Sequence, residues 1–423
     1  MCYYLGMDTV SKFKHLAENV NLEPDGAPSL PAACPAGSQS PDFKPRIARI
    51  SADFPTINPP NPCNPRLKNE KIIESSASPI FHAKMPGGKT IPLLKTLLTS
   101  ACERNCYYCP FRAGRNYRRV TFQPEELARG FMDMYRAGLA QGLFLSSGII
   151  KGGAATQDKL LDTAVILRQK HRFRGYIHLK IMPGAEKAQI ERAMQLADRL
   201  SVNLEAPNDK RLALLAPKKQ FFTELLRPLQ WIEEIRQNKP PHLGWNGRWP
   251  STTTQFVVGA VGESDLELLS TAEYLYRRIN LARAYFSSFR PIAGTPLENQ
   301  PPANRQREHR LYQTSFLFRD YGFDLEDLPF DQNGNLPLDV DPKLAWAQQH
   351  LRENPVELNR AGRRELLRVP GIGPKSAQTI LRARRQGTLT GLRDLQALGV
   401  PTKRLKPFVL LDGKRPSHQL PLW

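Results

Sequence analysis

Three of the chain's six cysteines, Cys102, Cys106 and Cys109, are spaced C-x3-C-x2-C in the stretch "TSACERNCYYCPFRAGR" at residues 99–115. Three thiols cannot all pair with one another, and six cysteines in 423 residues is not the density of a disulfide-stapled secreted domain. A tight group in such a chain more often binds metal or does chemistry. Structural zinc wants four protein ligands, commonly two separated C-x2-C pairs, and there is no second pair here. A zinc site would therefore need His82 or His178 brought in by the fold. A [4Fe–4S] cluster is usually held by four cysteines, so three leave one iron open to a substrate or cofactor. Plain reduced thiols are the third reading. Cys2, Cys34 and Cys63 lie apart in a poorly patterned region and are taken as incidental.

The elements that must position these cysteines can be read from periodicity. Residues 22–66 are rich in Pro, Ser, Ala and Asn, which predicts an irregular N-terminal region over 1–79. "IFHAKMPGGKTIPLLKTLL" reads as a hairpin turning at Gly87-Gly88, whose second strand leads into the cysteine loop. Strand-like runs then recur at 142–147, 176–182, 201–206, 252–260 and 282–289. Amphipathic stretches lie between them at about 124–140, 156–171, 186–199, 223–238 and 263–280. The alternation makes six β/α repeats and an α/β fold with a parallel sheet, open or curled into a partial barrel, over 80–300. Its active site belongs at the C-terminal strand ends, where the cysteine loop lies. A helical connector and linker occupy 301–355, a separate unit 356–412, and a short tail 413–423.

Cys102, Cys106 and Cys109, with Tyr108 before the third cysteine, resemble the C-x3-C-x-aromatic-C pattern of the radical S-adenosylmethionine superfamily. The resemblance implies a partial (β/α)6 TIM-like barrel and a [4Fe–4S] cluster on the three cysteines, with S-adenosyl-L-methionine on the fourth iron. It also implies reductive cleavage to a 5′-deoxyadenosyl radical and an electron donor such as flavodoxin or ferredoxin. By the same likeness the strand ends offer cofactor contacts. Ser147 and Gly148 in "SSGII" would meet the methionyl amino group. Asn203 and Glu205 in "NLEAP" would meet the ribose or the sulfonium region. Gly259 in "VVGAVGE" would let the backbone approach the adenine, and Arg290 in "FRPIAGTPLE" would face a carboxylate or phosphate. Lys180 is a weaker candidate of the same kind.

The chain has 60 Lys plus Arg against 40 Asp plus Glu, a net charge of +20, which favours polyanions and makes nucleic acid the first partner to consider. Residues 356–415 hold 14 Lys plus Arg and 4 Asp plus Glu, an excess of +10. Within them, "ELLRVPGIGPKSAQTILRAR" reads as helix, tight turn, helix. Gly371 and Gly373 allow the turn, Ile372 tucks into the hairpin core, and Lys375 and Ser376 open the second helix, whose N-terminus favours an anion. This resembles the helix-hairpin-helix motif, which grips a DNA backbone phosphate without reading sequence. "LRDLQALGVPTKRLKPF" looks like a second, degenerate hairpin, giving an all-α helix-hairpin-helix domain.

No apolar run suits a membrane span and "MCYYLGMDTV" is not a secretory signal, so a cytoplasmic location is expected. From about residue 80 the chain resembles a bacterial family of radical S-adenosylmethionine proteins assigned to DNA modification or repair, whose genes lie beside one for a uracil-DNA-glycosylase-like protein. The segments "LLKTLLTSAC", "NLEAP", "FRPIAGTPLE" and "LLRVPGIGPKSA" carry that likeness. It implies an enzyme acting on DNA. An enzyme modifying RNA or tRNA, and a non-catalytic iron–sulfur DNA-binding protein, are the other readings.

Overall fold

The β/α alternation closes into one seven-stranded sheet whose spatial order is its sequence order. The computed structural model describes residues 8–20, 78–84 and 90–416. The strands are β1 (Ile80–Lys84), β2 (Thr90–Leu97), β3 (Gly142–Ser146), β4 (Tyr176–Lys180), β5 (Arg199–Ser201), β6 (Ser251–Val258) and β7 (Arg283–Ser288). β1 pairs antiparallel with β2, and the hairpin turn expected at Gly87-Gly88 lies outside the described residues. From β2 onward all neighbours are parallel. This is the partial (β/α)6 barrel that the sequence implies.

The crossover helices α2 (Pro124–Arg136), α3 (Gly153–Val165), α4 (Lys187–Leu196), α5 (Asp209–Leu215), α6 (Arg227–Asn238) and α7 (Asp265–Arg278) take up the chain between the parallel strands. Strands covered in this way are buried on both faces, which is why Leu143, Ile177, Leu179, Leu200 and Phe256 are fully inside. β5 is shorter than expected. After Ser201 the Val202 amide still donates to the Thr253 carbonyl, and the chain bridges to β6 again at Glu205–Phe256.

Four other departures have physical causes. The region read as irregular contains α1 (Thr9–Val20), whose Phe13 and Leu16 are buried. Phe13 sits 4.7 Å from the ring of Phe122, and Lys12 pairs with Glu126 at 2.7 Å. α3 and α6 are each joined to a wider-wound turn, at 166–170 and 221–226. After α8 (Arg305–Phe316), the Pro- and Asp-rich segment read as a linker is packed on the barrel: Leu328 and Leu336 are buried, and the Leu336 amide donates to Asp265 at 2.9 Å. It ends in α9 (Pro342–His350), capped by Asp341.

The C-terminal unit contains α10 (Arg363–Arg368), α11 (Pro374–Ala383), α12 (Leu392–Ala397) and one tight turn at 406–408. A two-residue parallel pair, β8 (Val356–Glu357) with β9 (Val409–Leu410), ties its ends, so the module is not purely helical. Its own core includes Leu366, Ile372, Ile380, Leu395 and Leu405. Arg368 joins it to the barrel, pairing with Asp327 at 2.7 Å and lying 4.0 Å over the Phe323 ring. Lys343 of α9 donates to the Ile372 carbonyl at 2.6 Å, which ties the hairpin turn to the connector.

One buried charge closes the far end of the barrel. Arg168 donates to the carbonyls of Leu196, Phe173 and Gly175 and pairs with Asp198 at 3.1 Å. Burial pulls its guanidinium down to about 10 despite Asp198. Asp198 also accepts from the Ile177 amide of β4. Replacing Asp198 by alanine leaves a buried cation unpaired and an amide without its acceptor, and should cost about 3 kcal/mol in denaturant unfolding with an unchanged m-value.

Candidate active site

The cysteine loop leaves the C-terminal end of β2 and is fastened on three sides. Arg119 fastens its exit: one guanidinium nitrogen donates to the carbonyls of Ser100 and Phe111, both at 2.7 Å, and the other to those of Arg112 and Arg115. The same guanidinium lies 4.0 Å over Tyr117, whose hydroxyl also donates to Ser100. Toward β3, the Gly148 amide donates to the Thr99 carbonyl at 2.7 Å and the Glu103 amide to that of Ile149 at 2.8 Å. Toward β5, the Tyr107 amide donates to Leu215, while Arg104 pairs with Glu224 at 2.5 Å and donates to the Lys218 carbonyl.

Gly148 is required by this closeness, because a side-chain carbon there would overlap the Ala101 carbonyl. Gly148→Ala should displace the cysteine loop from β3. The expected result is a chain that folds but takes up several-fold less iron, measured per chain after anaerobic reconstitution.

Cys102, Cys106 and Cys109 line one cavity together with Ser147, Gly148, Lys180, Asn203 and Glu205, which the sequence nominates, and with Lys219. Two of the three sulfurs accept backbone hydrogen bonds: Cys102 from the Ile149 amide and Cys109 from the Phe111 amide, each at 3.4 Å. Burial pushes the Cys106 thiol up, and Lys219 opposes that rise. Tyr108 is pushed well up by burial, then by the charge of Glu205. Lys219 pairs with Glu205 at 3.1 Å, and their side chains are 9% and 5% exposed, so the pair is shielded from water. Burial works against the ammonium, but Cys106 and Glu205 outweigh it and Lys219 stays protonated. The hydroxyl of Ser147 is buried with no hydrogen-bond partner among the described residues.

These observations fit an iron–sulfur cluster. Three reduced cysteines line one cavity, amides point at two sulfurs, and Lys219 shares the wall with the third. Among the described residues no three His, Cys, Asp or Glu side chains are placed to hold a single metal ion. His178 is instead stacked on Phe144 at 4.2 Å, and His82 is exposed on β1. Neither lines the cavity, so the structure does not assemble the zinc alternative.

Two nominated residues stand elsewhere. Gly259 is left-handed, at φ 86°, and the space beside it is filled by Ala303, so its missing side chain admits the segment before α8. Its amide donates to Glu263. Arg290 is exposed on the loop after β7 and does not line the cavity. Lys219 was missed because it follows a short helix that the periodicity did not reveal. The paired lysines of "APKKQ" after "NLEAP" were the available signal. In the C-terminal unit, Ile372 is buried and Lys375 exposed. Arg384 instead binds the carbonyls of Leu358 and Ala361 inside the module.

Residues 96–275 match the model of the radical SAM superfamily. No curated protein matches the chain. Among solved structures, the chain is similar to the FeFe-hydrogenase maturase HydG from Carboxydothermus hydrogenoformans. The identity is 16%, with 53% of this chain and 51% of that one covered and a TM-score of 0.43. It is also similar to methylornithine synthase (PylB), at 14% identity, 54% and 63% coverage and a TM-score of 0.42. A radical SAM methyltransferase from Sphaerobacter thermophilus gives 16% identity, 57% and 76% coverage and a TM-score of 0.41. The chain thus spans about half the length of the maturase and under two thirds of the synthase.

Proposed function

Because the chain carries a radical S-adenosylmethionine superfamily domain, whose members use a [4Fe–4S] cluster and S-adenosylmethionine, we propose that it is an enzyme acting on DNA. When bound, the cluster and cofactor supply one-electron cleavage of a sulfonium, with the electron drawn from a donor such as ferredoxin or flavodoxin. The chain's own part is placement. Cys102, Cys106 and Cys109 would hold the cluster. The buried hydroxyl of Ser147 and the polar groups of Asn203 and Glu205 line the wall where a cofactor's amino and hydroxyl groups would be oriented. Apolar wall residues such as Phe111, Ile149 and Leu225 keep water from the reacting carbon.

The observation carrying the DNA reading is the hairpin in the C-terminal unit. Gly371 is left-handed at φ 87° and Ile372 is buried, so the chain turns sharply into the first turn of α11. Pro374 at the first helical position has no amide to leave unpaired, and Lys375 and Arg382, seven residues apart, share an exposed face of the helix. A helix N-terminus flanked by cations attracts a phosphate and positions a strand without reading its bases. A base inside a duplex would have to leave the stack to reach the cavity, at a cost of a few kcal/mol that is least for damaged or unpaired bases.

The test is equilibrium binding of the intact, cluster-loaded protein to duplex DNA, single-stranded DNA and RNA of matched length and salt. The proposal expects tighter binding to DNA of at least one form. Tighter binding to RNA would transfer the reading to RNA modification. DNA binding without any reductive cleavage of S-adenosylmethionine at full iron occupancy would reduce the protein to a DNA-binding iron–sulfur protein.

A further inference from the structure

The cavity wall contains a built ion pair that cluster binding alone does not require. Glu205 sits left-handed at φ 65°, a conformation that a non-glycine residue adopts only against a steric cost. It is held there by two backbone bonds to β6: its amide donates to the Gln255 carbonyl at 2.9 Å, and its carbonyl accepts from the Val257 amide at 2.8 Å. So fixed, its carboxylate meets Lys219. The loop carrying Lys219 is fixed in turn, by the Lys219 amide on the Ala216 carbonyl and by Arg104 on the Lys218 carbonyl. Arg104 belongs to the cysteine loop, so the lysine and the thiols are braced against each other.

Cys102 and Cys109 have amide donors at their sulfurs, and Cys106, the most buried of the three, has Lys219 in the same wall. Lys219 shares the cavity wall with all three thiols, and Glu205 holds its ammonium at 3.1 Å. We infer that Lys219, oriented by Glu205, is the counter-cation of the cysteine cavity and raises the reduction potential of the cluster held there. The inference rests on the cluster assignment and is independent of the nucleic acid. Reduction by a low-potential one-electron donor adds one negative charge to a site whose facing ion pair is shielded from water. An ammonium there stabilises the reduced form, and a carboxylate behind it opposes that effect. Lys219 is a positioning and charge-setting residue, with no role in bond breaking.

The experiment is a potentiometric titration of the reconstituted full-length protein without S-adenosylmethionine, followed by electron paramagnetic resonance of the reduced cluster. Lys219→Met should lower the midpoint potential and Glu205→Gln should raise it, while Lys219→Arg should stay near wild type. A pair with only a structural role would leave all three potentials together, and that result, or shifts of the same sign in Lys219→Met and Glu205→Gln, overturns the inference. Should Lys219→Met fail to retain iron, an unshifted or lowered potential in Glu205→Gln overturns it equally. Because no DNA is present, a negative outcome leaves the substrate proposal standing.

Discussion

Replacing Cys106 with alanine is expected to reduce bound iron from about four per chain to background and to abolish reductive cleavage of S-adenosylmethionine. The size of the effect follows from ligand count. A cluster with three protein ligands has no spare, and the lost ligand is the most deeply set, so no water or neighbouring side chain replaces it easily. Folding should survive, since a buried cysteine behaves as a small hydrophobe and the loop is fastened by Arg119, Gly148 and Arg104 rather than by its sulfurs. Iron and sulfide analysis after anaerobic reconstitution, beside a thermal melt, separates the two. Cys34→Ala and Cys63→Ala should retain full iron, because the three-cysteine pattern places the ligands on Cys102, Cys106 and Cys109. A Cys106→Ala protein that kept both iron and cleavage would sink the cluster assignment.

The double charge reversal Lys375→Glu with Arg382→Glu should weaken DNA binding about a hundredfold near 0.1 M salt. It should also make the dependence of log K on log salt shallower by about two. Both residues are exposed on α11; Lys375→Glu suits the helix dipole at its first turn and Arg382→Glu opposes it at the last, so the two changes offset and the melting temperature should hardly move. That separation matters because Gly371 and Ile372 belong to the module's own architecture, and changing them would confound grip with folding. Unchanged affinity at unchanged stability would show that this face does not meet phosphate.

Much of the barrel was legible because β-rich runs and amphipathic stretches alternate at lengths that only parallel β/α units satisfy. The cysteine spacing left a cluster, a zinc site and plain thiols open, and the superfamily resemblance chose among them. What stayed hidden depended on distance in sequence. Lys219 lies more than a hundred residues after the cysteines and is brought to them by the short helix α5, whose seven residues show too little periodicity to read. Arg119 stabilises the loop through carbonyls, which carry no sequence signature. Gly259 and Arg290 do not line the cavity. A glycine at a strand end signals close approach but not of what, and here it is Ala303. α1 was obscured by the Pro-rich sequence after it, although Phe13 and Leu16 mark its buried side.

The most direct test of the whole account is anaerobic turnover of the cluster-loaded protein with S-adenosylmethionine, reductant and either genomic DNA or damaged oligonucleotides, followed by mass spectrometry of the released nucleosides. The account predicts a nucleoside mass change that appears with the wild-type protein and vanishes when any one of Cys102, Cys106 and Cys109 is replaced. S-Adenosylmethionine cleavage that leaves every deoxynucleoside unchanged, with a cysteine-dependent mass change appearing in RNA instead, would contradict it.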